Sequence, residues 1–151
     1  MKHMSNAKIT KDETLAVFAK VAATMADALG CDVDKVKLDA SLIDDLGAES
    51  IDFLDIVFRL ERAFKVKIPR GKILEEVRGT LSEAEFEHGG VLSAAGFERL
   101  QAFLDEVPRE RFKSPLRVVD IPRLFTTATF CKVVIRQQRT AATVPALPVG
   151  P

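Results

Sequence analysis

The stretch that decides the fold is IDDLGAESIDFLDIVFRLERAF, residues 43–64. From residue 50 onward its apolar residues recur at steps of three and four, the spacing that places side chains on one face of an α-helix. The predicted core face comprises Phe53, Val57, Leu60 and Phe64, reinforced by Leu54 and Ile56. The opposite face comprises Asp52, Asp55, Arg59 and Arg62. The spacing therefore predicts an amphipathic helix over residues 50–64.

The residues just before this helix predict a turn that leads into it. Residues 44–47 are Asp-Asp-Leu-Gly, and aspartate and glycine are both turn formers. Ser50 stands where the helix begins, between Glu49 and Asp52. Serine is a common N-cap residue, so on this residue alone an N-cap is the favoured interpretation.

Further helices are predicted on both sides. Thr10 and Glu13 have the spacing of a capping box that starts a helix, which continues to about Leu29 and is closed by Gly30. Other helices are predicted at residues 71–77, 81–88, 93–107 and 122–137, the last of them with a proline in its first turn. Because strand patterns are nearly absent, the predicted fold class is all-α.

The length of 151 residues is that of one domain. We predict a flexible N-terminus at residues 1–9, a single helical domain at residues 10–137 and a disordered tail at residues 138–151. The end of that tail has three prolines and no apolar periodicity.

The charges cancel, with 22 basic and 22 acidic residues, which argues against a strongly basic nucleic-acid binder. Their distribution is uneven. Residues 31–64 contain nine acidic and four basic residues, whereas residues 107–151 contain eight basic and two acidic ones. This polarity predicts a charged recognition surface and an internal partner for it. The basic residues expected to face either the acidic middle or a phosphorylated, lipid-like partner are Arg109, Arg111, Lys113 and Arg117.

Cysteine and histidine are scarce, with two of each. No metal-ligand spacing connects them, so neither a metal site nor a disulfide scaffold is expected. No apolar run approaches the roughly 18 residues of a membrane span, and no signal peptide is evident. The expected location is the reducing cytoplasm.

The pattern as a whole resembles the acyl carrier proteins. That family has an acidic-Leu-Gly turn, a Gly-x-Asp-Ser-Leu attachment site, an acidic helix and a closing Phe-x-x-x-Ile-Pro. All of these parts occur here in order, from about residue 14 to residue 69. Glu49 replaces the usual Asp and Ile51 replaces the usual Leu, and both keep the charge or the apolar character of the position.

The resemblance implies that Ser50 carries 4′-phosphopantetheine as a covalent cofactor and that the protein is a carrier, not an enzyme, with no catalytic residue. Ser50 has no neighbouring His or Lys to activate it, so a phosphopantetheinyl transferase must supply the attachment chemistry. The other implied partners are acyl-loading, ketosynthase or acyltransferase enzymes with basic docking patches. The implied docking acids are Asp45, Glu49, Asp52, Asp55 and Glu61.

Within the family, residues 43–47, 52–58 and 67–69 look like the carriers that deliver very long hydroxylated acyl chains to lipid A. An ordinary carrier closes soon after Ile-Pro, so residues 70–112 are interpreted as a helical insertion before the last carrier helix. The last helix, residues 122–137, is then expected to pack against the first and central helices. The added helices would cover an apolar pocket for a long acyl chain. The alternative is that the insertion forms a separate helical appendage with its own small core and no bearing on the cargo.

Two other functions are open on the residues alone. One is an unmodified protein-interaction module built on the same helical bundle. The other is a small hydrolase that uses Ser50, which is disfavoured because neither His3 nor His88 lies in a motif that would serve it.

Overall fold

The computed structural model describes residues 9–68 and 72–143, without the side chains of residues 50, 72–74 and 140–143. The α-helices in this part of the chain are α1 (Lys11–Leu29), α2 (Ser50–Phe64), α3 (Lys72–Arg78), α4 (Glu83–Phe86), α5 (Ala94–Phe103) and α6 (Thr127–Thr143). Strands β1 (Glu87–His88) and β2 (Val91–Leu92) form an antiparallel hairpin. Short 3-10 helices lie at Val33–Lys35, Arg109–Arg111 and Val118–Leu124. The all-α class is confirmed, and none of the described helices is long and apolar enough to cross a membrane.

The first helix begins and ends as its sequence predicts. Thr10 Oγ1 accepts the Glu13 N–H at 3.1 Å, and the Glu13 carboxylate accepts the Thr10 N–H at 3.0 Å. Gly30 closes α1 in the left-handed conformation at φ 68°, which glycine adopts without a steric penalty. The backbone hydrogen bond from Thr10, followed by the side-chain bond from Arg139, lowers the pKa of Glu13 from its ordinary value.

The helices between α3 and α6 are shorter than predicted. The expected helix over residues 81–88 ends at Phe86, because Gly89 and Gly90 both adopt positive φ and turn the chain into the β1–β2 hairpin. The expected helix over residues 93–107 ends at Phe103, and Leu104 leaves helical geometry with ψ 54°. The first difference follows from the Gly-Gly pair, a local turn signal. The second arises where the chain bends so that Asp105 and Glu106 meet Lys132 of α6.

The last helix begins at Thr127 and not at Pro122, which corrects the predicted start. Pro122 lies inside the 3-10 helix that precedes α6. Thr126 donates its N–H to Thr129 Oγ1 at 3.0 Å, and Thr126 Oγ1 accepts the Thr129 N–H at 3.3 Å. This reciprocal pair of threonines caps the helix, since it satisfies N–H groups that have no partner within the first turn.

The same helix continues to Thr143, so residues 138–143 are helical and are not part of a disordered tail. Arg139 in this extension donates to both carboxylate oxygens of Glu13, at 2.7 and 2.6 Å. This charge-assisted pair, in which one guanidinium nitrogen reaches both carboxylate oxygens, fastens the end of α6 to the start of α1. Residues 144–151 and residues 1–8 lie outside the described residues.

The core is organised around the first half of α6. Every residue from 124 to 135 is buried, so this part of the helix is covered on all sides. It packs along α1, and the Phe130 ring meets the Phe53 ring of α2 edge-on, with 6.1 Å between the ring centres. Phe125, just ahead of α6, stacks on the same Phe53 ring. The last helix therefore packs along α1, as predicted, and meets α2 at the Phe53 ring.

A polar network holds the segment after α5 against α6. Lys132 contacts the carboxylate of Asp105 and donates to Glu106 Oε1 at 2.8 Å. Glu106 Oε2 also accepts the Thr129 hydroxyl at 2.6 Å. The side chains of Lys132 and Glu106 are each only 11% exposed. The turn that ends α5 thus brings two carboxylates onto a buried ammonium group.

Replacing Lys132 with methionine is expected to lower the free energy of unfolding by about 3 kcal/mol, because it leaves the buried Glu106 carboxylate without its counter-charge. Urea denaturation followed by circular dichroism measures the effect. The matched control is Lys113→Met, which removes an exposed ammonium and should leave the midpoint unchanged. An unchanged midpoint for Lys132→Met would show that the network contributes nothing to stability.

Candidate cofactor-attachment site

The loop that precedes α2 is a tightly bonded turn. Ser41 C=O accepts the N–H groups of Asp45 and Leu46 at 3.0 and 3.1 Å, and the Asp45 carboxylate accepts the Ser41 N–H at 2.7 Å. Gly47 completes the turn at φ 72°. The Ala48 N–H then bonds to Leu42 C=O at 2.8 Å. The predicted acidic-Leu-Gly turn is therefore present, and its backbone is fixed by its own hydrogen bonds.

The turn is also attached to the start of α6. Leu42 donates its N–H to Phe125 C=O at 3.1 Å, and Thr127 donates its N–H to Ala40 C=O at 3.1 Å. Leu42 itself is fully buried. These bonds join the approach to α2 to the approach to α6, so the position of Ser50 depends on the last helix as well as on its own loop.

Asp44 is held by two arginines from the later part of the chain. Arg111 reaches one of its carboxylate oxygens at 3.1 Å and Arg123 reaches the other at 3.3 Å. The expectation that the basic segment faces the acidic middle is therefore met by Arg111. Arg117 instead pairs locally with Asp120 at 3.2 Å. Arg109 and Lys113 are exposed.

Ser50 is the first residue of α2, and the N-cap position belongs to Glu49. The interpretation of Ser50 as a simple N-cap is therefore wrong. Asp52 organises this helix start, because its carboxylate accepts the Glu49 N–H at 2.8 Å while its own N–H bonds to Glu49 C=O at 2.9 Å. Two carboxylates thus flank the serine in the chain.

The start of α2 suits a serine-linked phosphate. The first N–H groups of a helix have no partner within the helix, and together with the helix dipole they favour an anion. The neighbours of Ser50 in the chain, Glu49 and Ile51, are both exposed, and Ile51 is 74% exposed. An attached arm and an approaching transferase therefore have access to this end of the helix.

The five predicted docking acids differ in their surroundings. Asp55 pairs with Arg59 at 3.0 Å, and the same arginine reaches Asp27 of α1 at 3.3 Å. The Glu61 carboxylate accepts the Ile68 N–H at 2.6 Å and so closes the loop after α2. Asp45 bonds within its turn, Asp52 bonds within the helix start, and Glu49 is exposed. Asp45 and Glu49 are thus the exposed members of the set, whereas Asp52, Asp55 and Glu61 are partly buried.

An exposed apolar stripe on α2 was not predicted from the sequence. Ile51, Leu54 and Phe58 lie at i, i+3 and i+7, and they are 74%, 38% and 49% exposed. The fully buried residues of this helix are Ile56 and Leu60. The assignment of Leu54 to the core is therefore wrong, and the stripe begins directly after Ser50.

The described residues were compared with the groups that a hydrolase or a metal enzyme uses. In residues 9–68 and 72–143 no three metal-ligating side chains come together. His88 lies exposed in the hairpin. Burial raises the pKa of the Cys131 thiol to about 12, so this cysteine is not a thiolate nucleophile near neutral pH.

Residues 19–83 match the family model described as the phosphopantetheine attachment site. The acyl carrier protein AcpXL of Rhizobium meliloti is 42% identical over 72 residues, which cover 47% of this chain and 76% of that protein. The acyl carrier protein of Bdellovibrio bacteriovorus is 46% identical over 55 residues, which cover 36% of this chain and 70% of that protein. The chain belongs to the acyl carrier protein family. This carrier is accordingly not an enzyme, and its cofactor is phosphopantetheine, as predicted.

The similarity to AcpXL recurs in Mesorhizobium japonicum, whose protein is 45% identical to this carrier over 60 residues. That alignment covers 40% of this chain and 64% of the relative. The segment matched by the family model ends at residue 83, so α5 and α6 lie beyond it.

Proposed function

We propose that this carrier holds an acyl chain as a thioester on 4′-phosphopantetheine attached to Ser50. The observation that carries the proposal is the position of Ser50 at the first residue of α2, inside the segment that matches the attachment-site model and beside exposed neighbours. The cofactor would supply the thiol that bears the acyl group. The carrier's own residues would place and expose the attachment point.

The residues around Ser50 support this role in separate ways. The bonded turn before α2 and its link to the start of α6 keep the beginning of α2 at a fixed place in the fold. The dipole of α2, which is positive at the end that carries Ser50, would stabilise the attached phosphate. The acids of the same end, Asp45, Glu49, Asp52 and Asp55, would attract basic patches on partner enzymes. The exposed stripe of α2 would add apolar contact area beside them.

We further propose that the partners are a phosphopantetheinyl transferase and acyl-loading, ketosynthase or acyltransferase enzymes of cytoplasmic fatty acid or lipid A synthesis. The similarity to AcpXL supports the lipid A branch.

The domain proposed is one bundle that includes residues 10–137, with residues 70–112 inserted before the last helix. A cavity of about 520 Å³ lies beside Asp44, but its lining includes Arg111, Lys113 and Arg123, so it does not provide the apolar shelter expected for an acyl chain.

The direct test is the intact mass of the protein after incubation with coenzyme A and a phosphopantetheinyl transferase. Attachment adds one phosphopantetheinyl group to the whole population. The alternative, an unmodified interaction module on the same bundle, predicts no change in mass.

The acidic end of α2 is expected to accelerate encounter with basic partners. Asp52→Lys or Asp55→Lys should slow acyl loading about fivefold at low salt and should make the rate less sensitive to added salt, because fewer charges steer the approach. Stopped reactions at two ionic strengths measure both effects. Asp34→Lys makes the same charge change on the exposed 3-10 turn after α1 and serves as the control. Unchanged rates and an unchanged salt response in both α2 variants would make these acids an ordinary solvated surface.

A further inference from the structure

The charges of α2 and of the residues that flank it change sign from one end of the helix to the other. Glu49 and Asp52 mark the end that carries Ser50, and Arg62, Lys65 and Lys67 mark the opposite end. All three basic side chains are exposed. Within the described residues none of them forms an ion pair.

A fourth cation joins the basic end from α1. Arg59 of α2 reaches Asp27 of α1 at 3.3 Å, and Lys20 of α1 lies 5.0 Å from the centre of the Phe64 ring. The two helices therefore run antiparallel, and Lys20 is placed beside the C-terminal end of α2. The basic end consists of Lys20, Arg62, Lys65 and Lys67.

Between the two ends the charges are locally balanced. Arg59 is paired with both Asp55 and Asp27. Glu61 lies at the basic end, where its carboxylate accepts the Ile68 N–H and offsets one of the four cations. The surface is thus acidic at the serine end, carries paired charges in the middle and is basic at the far end. The 15 residues of α2 span about 22 Å at 1.5 Å per residue.

This separation is large compared with the range of charge interactions in solution. The Debye length is about 8 Å at physiological ionic strength, so a partner meets the two ends as separate charges. An enzyme whose docking patch is basic throughout would attract the serine end and repel the far end. An enzyme with a basic region next to its active-site entrance and an acidic region about 20 Å away would attract both.

We propose that the enzymes served by this carrier have such a two-sign docking surface, and that the basic end excludes enzymes with a uniformly basic one. This inference rests on the proposed carrier function and specifies its partners. A protein partner fits the arrangement better than an anionic membrane does. A uniformly negative surface would repel the acidic end of the same helix, whereas a protein surface can match both signs.

The test is a charge-swap cycle with a defined probe enzyme. Two forms of one ketosynthase serve as probes. The first has a docking patch that is basic throughout; in the second, the basic residues of that patch that lie farthest from the active-site entrance are changed to Glu. The carrier variant is Arg62→Glu with Lys67→Glu. The control variant is Arg109→Glu with Lys113→Glu, which makes the same change in net charge at exposed positions of another segment. Dissociation constants are measured by surface plasmon resonance with the carrier in its unmodified form.

The wild-type carrier should bind the altered ketosynthase about tenfold more tightly than the basic one, and the Arg62/Lys67 variant should reverse this order. The control variant should behave as the wild type does. Equal affinities of wild type and variant for both probes would overturn the inference, even if Ser50 is modified. A different result would indicate a membrane as the partner in place of a protein. In that case the wild type, but not the Arg62/Lys67 variant, binds vesicles with 30% phosphatidylglycerol, and the expected order of affinities for the two ketosynthases is lost only when these vesicles are present. Because binding is measured without the cofactor, failure of Ser50 modification is a separate result that affects only the proposed function.

Discussion

Ser50→Ala is expected to abolish the gain in mass on incubation with coenzyme A and a phosphopantetheinyl transferase. The transfer forms an ester between the serine oxygen and the phosphate, and alanine has no oxygen to accept it. The effect is therefore all-or-none and not a reduction in rate. Alanine at position 50 leaves the helix start intact, because Glu49 is the N-cap of α2 and the Asp52 carboxylate accepts the Glu49 N–H. Intact-mass spectrometry measures the outcome.

The matched control is Ser82→Ala. Ser82 also lies at the start of a helix and inside the segment that matches the attachment-site model, where its hydroxyl caps α4. This variant should gain the full mass. A full gain in mass for Ser50→Ala would place the attachment elsewhere and would end the assignment of Ser50. Circular dichroism of both variants distinguishes loss of the hydroxyl from loss of the fold.

Truncation after Val107 is expected to remove the cooperative unfolding transition altogether. The deleted part contains residues 124–135, all of which are buried, and the Phe130 ring that contacts Phe53 of α2. It also contains Phe125 and Thr127, whose backbones bond to the loop before α2. Removing even one buried Phe side chain costs about 3–5 kcal/mol, and a domain of this size has only about 5–15 kcal/mol of net stability.

Truncation after Thr143 is the control, because the described contacts of α6 lie within residues 9–143. It should unfold at the temperature of the full chain. If the Val107 truncation keeps its thermal transition and still accepts the cofactor at Ser50, α6 is an appendage and residues 9–107 form the carrier by themselves. A protein that unfolds but recovers when a peptide of residues 108–143 is added would confirm that α6 belongs to the bundle.

The sequence by itself determined the features that depend on near neighbours. The capping box at Thr10 and Glu13, the closing Gly30 and the three-and-four spacing of residues 50–64 predicted α1 and α2 correctly, because caps and helical faces are set within a few residues. The turn before α2 follows from its aspartates and from Gly47, which supplies the positive φ. The placement of Ser50 at a helix start followed from these local features.

The tertiary structure decided which apolar residues of α2 are covered. Eight apolar residues, six between positions 51 and 58 and two at positions 60 and 64, allow more than one buried stripe. Only the packing of the other helices selects Ile56 and Leu60 for full burial. Leu54 and Phe58 were left at the surface for the same reason. The start of α6 was decided similarly, because the threonines that cap it compete with a nearby proline that is an equally good local marker.

Contacts between distant parts of the chain had no counterpart in the local pattern. Arg111 and Arg123 reach Asp44 across 67 and 79 residues, and Lys132 reaches Glu106 across 26. The uneven distribution of charge indicated that the basic segment meets the acidic one, but it did not indicate which side chains pair. Such pairs form only after burial of the core has fixed the distance between the segments, so they are a property of the folded bundle and not of the sequence around either residue.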